Sequence, residues 1–309
     1  MDWDAPEIEA LITSALSEDI GAGDVSVAAT IPSSTNCTAH IVTREDVICA
    51  GLPLVEKILS RLDANVLVEL LASEGQRVAG GTVIAAANGN AGALLTSEQT
   101  LLNLLSRLCG IATLTREYVR KIEGTRARVR DSRVTRPGLR RLEQYAIRVG
   151  GGVHHRAGPF EGILVRQAHI AVAGGIQSAL DQAHSYASRM MNLSALSAYE
   201  ATGMMPGEIE STSLSIQIEI GNEAEVHEAI SAGAESIFLA ATTERETGRL
   251  VAAARALRAD CVIEISGEIA LSEARGYAET GADYLSPGAI TAAAPWAKMS
   301  LLVDSAREK

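Results

Sequence analysis

Aromatic side chains are scarce in this sequence, 3% of 309 residues, although 47% of the chain is hydrophobic. Ala, Leu, Ile and Val must therefore fill the core, and that composition suits α/β layers better than a β-sandwich. Cysteine is sparse too. Cys37, Cys49, Cys109 and Cys261 are scattered, with no Cys-x-x-Cys pair, which argues against a disulfide framework and against a zinc site. Positive charge is in deficit: 27 Lys and Arg against 38 Asp and Glu give a net charge of -11. The basic surface that bulk nucleic-acid binding requires is missing. No run of about 18 apolar residues occurs, so no membrane span is expected. The opening Met1-Asp2-Trp3-Asp4 is acidic and has no apolar stretch of signal-peptide type. These absences give the expectation of a reducing, cytoplasmic setting, and the length gives that of two domains.

Against this acidic background, cations gather between Asp131 and Ile170. The segment carries Arg133, Arg136, Arg140, Arg141, Arg148, Arg156 and Arg166, with His154, His155 and His169 and the run Gly150-Gly151-Gly152. A small anionic ligand accounts for such a concentration, because the planar guanidinium fork donates paired hydrogen bonds to carboxylate or phosphate. Three glycines allow backbone to approach a ligand where a Cβ would clash. For any single arginine the plain alternative is a solvated basic face.

Pro6 to Glu18 has helical spacing, with Ile8, Leu11, Ile12, Ala15 and Leu16 on one face. Thr38 to Thr43, Asp46 to Ala50, Ala64 to Leu71 and Val83 to Ala87 read as strands and Leu52 to Leu62 as a helix, a small α+β unit. Leu94 to Ile111 reads as a long apolar helix closed by Cys109-Gly110, and Thr113 to Glu123 as a second helix. From Ala127 the pattern alternates. Strands are expected at Ala127 to Arg130, Gly162 to Val165, Ser215 to Ile220, Ser236 to Leu239, Cys261 to Ile265 and Asp283 to Leu285. Helices are expected at Pro137 to Val149, Gly174 to Ser188, Glu223 to Ala232, Thr243 to Leu257 and Leu271 to Thr280. Such alternation implies parallel strands with crossover helices. An α/β barrel with its site at the strands' C-terminal ends fits best, and an open doubly wound sheet is the competing architecture. Ser266-Gly267-Glu268 and Ser286-Pro287-Gly288 each follow a late strand, where backbone N–H groups cradle phosphate or simply form ordinary turns. Glu219, an acid on an apolar strand, is expected at a barrel mouth.

Several stretches carry a resemblance: Gly23-Asp24-Val25-Ser26, Leu94-Leu95-Thr96-Ser97-Glu98, Arg107-Leu108-Cys109-Gly110-Ile111-Ala112-Thr113, Thr135-Arg136-Pro137-Gly138-Leu139-Arg140, Gly150 to Arg156, and Tyr277 to Asp283. In this order and spacing the chain resembles quinolinate phosphoribosyltransferase, the carboxylating nicotinate-nucleotide pyrophosphorylase, over nearly its whole length. The resemblance implies an N-terminal open α/β sandwich over 1–112, completed by about 290–309, and a C-terminal atypical α/β barrel over 113–289 that carries the site. It implies a homodimer and a reaction that joins quinolinate to phosphoribosyl pyrophosphate with Mg²⁺, yielding nicotinate mononucleotide, pyrophosphate and CO₂.

Residue by residue, the resemblance makes Arg133, His155 and Arg156 binders of an aromatic dicarboxylate, with Arg136 an added cation. Arg166 stands for a family lysine, and Glu219 for an acid that contacts ribose and metal; both are expected to be catalytic. Ser266, Gly267 and Gly288 are expected to hold phosphate. No residue set is expected to form a protein metal site. The sequence departs from the family where a lysine is replaced by Val134, an arginine by Gln99, an aspartate by Ala240 and a phosphate-loop glycine by Glu268. Two further readings therefore stand beside the first: a paralogue acting on another aromatic acid or phosphosugar, similar to the molybdenum-associated ModD group, and a non-catalytic carboxylate-binding dimer. Residues 186–214, including Met204-Met205-Pro206-Gly207, read as an insert that serves as a lid, a surface excursion or a dimer contact.

Overall fold

The computed structural model describes residues 1–156, 158–202 (side chains to 191) and 214–304. Its elements begin α1 (Pro6–Ile20), α2 (Val25–Thr30), β1 (Asn36–Thr43), β2 (Val47–Ile48), α3 (Pro53–Leu62), β3 (Leu67–Leu70), β4 (Arg77–Val78), β5 (Val83–Asn90) and α4 (Ala91–Lys121). They continue β6 (Arg128–Val129), α5 (Arg140–Val149), β7 (Gly162–Val165), α6 (Gln167–Ala173), α7 (Ile176–Thr202), β8 (Ser215–Ile220) and α8 (Glu223–Ser231). Last come β9 (Ser236–Ala240), α9 (Glu244–Leu257), β10 (Val262–Gly267), α10 (Ala274–Glu279), β11 (Tyr284–Pro287), α11 (Ala289–Ala292) and β12 (Met299–Val303).

The chain divides into two compact units. Met1–Val119, Val134–Val153 and the residues from Ile290 onward form the first; Arg120–Arg133 and His154–Ala289 form the second. The boundary expected at residue 112 differs from this, and the reason lies in α4. It is one helix, not two, because Gly110 does not end it. A Cβ at Gly110 would fall 1.9 Å from the carbonyl oxygen of Pro295. The glycine thus allows close backbone approach within a continuous helix. Residues 140–149 join the same unit because α5 buries Leu142, Ala146 and Ile147, and its buried Glu143 pairs with Arg107 of α4.

The first unit's main sheet has the order β12-β1-β5-β3, with antiparallel pairings throughout, and β2 and β4 form a separate ribbon. β12 comes from the closing segment of the chain and pairs with β1, Ile41 opposite Leu301. In α3, Leu54, Val55, Ile58 and Leu59 are buried on one face, the spacing of an amphipathic helix. α2, not expected from the sequence, is a single short helix capped by Asp24, whose side chain accepts from the N–H groups of Ser26 and Val27.

The second unit is built on a parallel sheet of order β6-β11-β10-β9-β8-β7. From β7 to β11 each strand lies beside its predecessor, without the reversal that a doubly wound sheet requires. That winding sends every crossover the same way around, which is barrel topology; β6 and β7 are the sheet's two edges, so the barrel is open. One strand face is aliphatic: Ile218, Ile220, Ile237, Leu239, Ile263 and Ile265 are buried. The alternate positions carry Gln217, Glu219, Glu264, Ser266, Tyr284 and Ser286 around one apolar side chain, Phe238, so the opposite face is mostly polar. α7 runs past the expected end at Ser188 to Thr202, while Met204-Met205-Pro206-Gly207 lie outside the described residues.

Candidate active site

At the C-terminal ends of the second unit's strands, two groups of expected residues come together. Ser266 and Gly267 close β10 beside Gly288, which follows β11: Gly288 N–H donates to Gly267 O at 2.9 Å, and Ser266 Oγ donates to Ser286 O at 3.1 Å. Gly267 has φ 146°, which a side chain would strain, and a Cβ there would meet the Ala241 side chain at 3.2 Å. The turn is therefore compact, with the Gly288 N–H and the Ser266 hydroxyl engaged within it, and Glu268 beside it is exposed. The second group joins β7 to β8. Arg166 Nε donates to Glu219 Oε2 at 3.2 Å, and the same oxygen accepts from Gln167 N–H at 3.3 Å. Glu219 is largely buried and Arg166 mostly exposed, so the carboxylate is fixed while the guanidinium reaches solvent.

Deeper on the polar face sits Glu264, fully buried on β10. A buried carboxylate is tolerated only when paired and hydrogen-bonded. Arg130 Nη1 donates to it at 2.9 Å and Gln217 Nε2 at 3.1 Å, Ser286 Oγ also donates, and His155 Nε2 stands 3.9 Å away. The Arg130 guanidinium lies 3.9 Å over the Tyr284 ring, a cation–π contact. A cavity of about 410 Å³ opens onto Arg130, His155, Arg156 and Gln217 and onto Ser215, Ser236 and Val262, the first residues of β8, β9 and β10, so it lies toward the strands' N-terminal ends and not at the Ser266-Gly267 rim.

Arg133, His155 and Arg156 converge around this layer. Arg156 Nη1 donates to Gly162 O at 2.6 Å. Burial first, and then the charge of Arg133, lowers the pKa of Arg156 from its ordinary value, with Glu264 opposing. Burial also lowers His155; Glu264 and Asp131 oppose that shift, and Arg130 and Arg156 reinforce it. Arg133 has φ 62°, the sole non-glycine residue at positive φ among those described. Such a backbone costs about 1–3 kcal/mol and persists where its surroundings impose it. Its Nε is buried with no hydrogen-bond partner among the described residues. The Arg133 and Arg156 guanidinium groups repel one another, and an anion placed between them would relieve that repulsion.

The signature of the quinolinate phosphoribosyl transferase N-terminal domain matches residues 24–109, and that of the C-terminal domain matches 111–210 and 206–302. The chain belongs to the quinolinate phosphoribosyltransferase family. It is 35% identical over 288 residues to a probable nicotinate-nucleotide pyrophosphorylase [carboxylating] of Bacillus subtilis (strain 168), covering 92% of this chain and 89% of that protein. A nicotinate-nucleotide pyrophosphorylase structure from Francisella tularensis superposes with a TM-score of 0.81 at 30% identity, covering 97% of this chain and 98% of that one. The NadC structure from Streptococcus pyogenes gives 0.82 at 27% identity, covering 97% and 98%.

Within this family fold, Arg136 is engaged inside the first unit and the triple glycine packs helices. Arg136 belongs to the first unit, where its N–H donates to Glu143 Oε2 at 3.2 Å and its Nη1 lies 3.7 Å from Oε1. The triple glycine serves helix packing: a Cβ at Gly150 would lie 2.6 Å from Ala112 O, and one at Gly152 2.6 Å from the Ile147 side chain. Conversely, Glu264, Arg130, Gln217 and Asp131 join the site without having been singled out as functional. Glu264 carried the same signal as Glu219, an acid on an otherwise apolar strand.

Proposed function

We propose that this protein is a phosphoribosyltransferase of the quinolinate type, which joins quinolinate to phosphoribosyl pyrophosphate and releases pyrophosphate and CO₂ to give nicotinate mononucleotide. The observation that carries this reading is the convergence of Arg133, His155 and Arg156 beside buried Glu264, in the same unit whose strand ends hold Glu219 and the Ser266-Gly267 turn. The paired cations take the acid's carboxylates and aim its ring nitrogen at the anomeric carbon. As the N–C bond forms, the C–O bond to pyrophosphate breaks and the ring becomes a pyridinium. That positive charge accepts the electron pair when the adjacent carboxylate leaves as CO₂, and a proton from solvent fills the ring carbon. Glu219, fixed by Arg166 and Gln167 N–H, faces the oxocarbenium charge that develops on the ribose. The Ser266-Gly267-Gly288 turn takes the donor's phosphate.

Mg²⁺ belongs to this reading as part of the substrate. Among the described residues no three His, Cys, Asp or Glu side chains group to hold an ion. Mg²⁺ commonly binds through one or two carboxylates plus substrate phosphates, and Glu219 is the carboxylate that suits that role. A homodimer working in the cytoplasm, in pyridine nucleotide biosynthesis, completes the proposal and is supported by the family resemblance.

The same chemistry on a different aromatic acid is the second reading. It is favoured by Val134, an apolar side chain half exposed where the resemblance expects a lysine. The deciding assay mixes purified protein with quinolinate, phosphoribosyl pyrophosphate and Mg²⁺ and follows pyrophosphate, CO₂ and nicotinate mononucleotide together. Equal release of all three is expected. Turnover with another pyridine carboxylate but not quinolinate would select the second reading, and acid binding without turnover of any would overturn both.

A further inference from the structure

Asp131 lies two residues beyond β6, and its side chain is only 4% exposed. Oδ1 accepts the N–H of Arg133 at 3.2 Å, and Oδ2 accepts the N–H of His155 at 3.0 Å. His154 Nδ1 stands 3.3 Å from the same Oδ2. One buried carboxylate thus ties the exit of β6 to the segment that leads into β7. It also supports the left-handed backbone of Arg133, since an Asp side chain that accepts the N–H two residues on makes an Asx turn. The two tied stretches are the ones that carry the acid-binding cations.

We propose that Asp131 is a positioning residue for acid recognition, which holds Arg133 and the His155-Arg156 pair at one fixed spacing so that their cations meet the same ligand. The inference rests on the phosphoribosyltransferase reading. The task requires a carboxylate rather than an amide, because both oxygens face N–H donors: Asp131→Asn would turn an NH₂ toward one of them. Asp131 also adds a negative charge that acts on the His155 imidazole, beside the backbone it holds.

The test compares wild type, Asp131→Asn and Asp131→Ala in two measurements. In steady-state kinetics, Asp131→Ala should lower kcat/KM for the acid about 100-fold, the scale of a misplaced binding group. Asp131→Asn should lower it roughly tenfold, as for one lost hydrogen bond. The KM for phosphoribosyl pyrophosphate should stay unchanged in both. In amide hydrogen exchange of the free proteins, Arg133 and His155 should lose protection while the strand cores keep theirs. Equal losses toward both substrates, unchanged acid kinetics or unchanged exchange at these two amides would overturn the proposal. Should wild type fail to turn over quinolinate, the functional reading falls, and exchange at the two amides still decides the clamp. If Asp131→Ala does not fold, Asp131→Asn carries both comparisons.

Discussion

At the scale of single residues, the informative group is His155. Burial pulls its pKa below the ordinary 6.5, against the pull of Glu264 and Asp131. Between the lowered value and about 6.5, the unfolded chain holds a proton that the folded one does not, so stability rises with pH across that window. It is fully present above the window and falls as pH drops through the folded value. Ligand binding runs the other way. A carboxylate placed beside the imidazole favours its charged form, so acid binding takes up a proton at pH values above the lowered free-protein value and tightens as pH falls toward it. Calorimetric titration with quinolinate in two buffers of different ionisation enthalpy measures that uptake directly. His155→Gln should bind more weakly and with no pH slope over the same range. A slope equal to wild type's would remove His155 from the proton balance.

Among the elements, α4 and α5 are joined by a buried ion pair that no single segment of sequence displays. Arg107 and Glu143 are 2% and 1% exposed, and Arg107 Nε and Nη2 donate to Glu143 Oε1 at 3.0 and 2.6 Å. The other Glu143 oxygen accepts from Thr135 Oγ1 and Arg136 N–H, so the pair also fixes the turn before α5. Removing Arg107 leaves buried Glu143 with the half-exposed Arg136 guanidinium, 3.7 Å away, as counter-charge. Arg107→Met should therefore destabilise the protein by about 3–5 kcal/mol, and Arg107→Met with Glu143→Leu should recover most of that. Urea unfolding of the two variants checks it; a single variant within 1 kcal/mol of wild type would mean that Glu143 finds water or another partner. The same helices show where sequence reading stops. Short apolar runs and turn punctuation located the strand–helix alternation of the second unit, since the strands around Ile218, Ile237 and Ile263 are each followed by polar or glycine residues and a helical pattern. They misplaced the end of α4, because the reason for Gly110 is the backbone of Pro295, far along the chain.

Across the whole molecule, the cations of the site were legible because they stand out in an acidic chain, whereas their counter-charges were not. Asp131 and Glu264 look like any of 38 acids until the fold buries them beneath Arg133, Arg156 and Arg130. The remaining acids matter for the metal. Many lie in the first turns of helices or pair with arginines: Glu223 and Glu225 in α8, Glu244 and Glu246 in α9, and Asp283 with Arg126 and Arg255. Among the described residues, these acids do not gather into a group of three that could hold an ion. At the rim of the site, Glu219 is already engaged by Arg166, and Ala240 at the end of β9 offers no ligand. Mg²⁺ should then arrive bound to the pyrophosphate of the donor rather than wait in the free protein. Titration of Mg²⁺ into the protein alone should give no binding heat below about millimolar concentration, as expected for a hard, reluctantly dehydrated ion facing one paired carboxylate. Activity should depend on the concentration of the Mg²⁺–donor complex and not on free Mg²⁺. A tight site in the donor-free protein would contradict this and would point to ligands outside the strand ends described above.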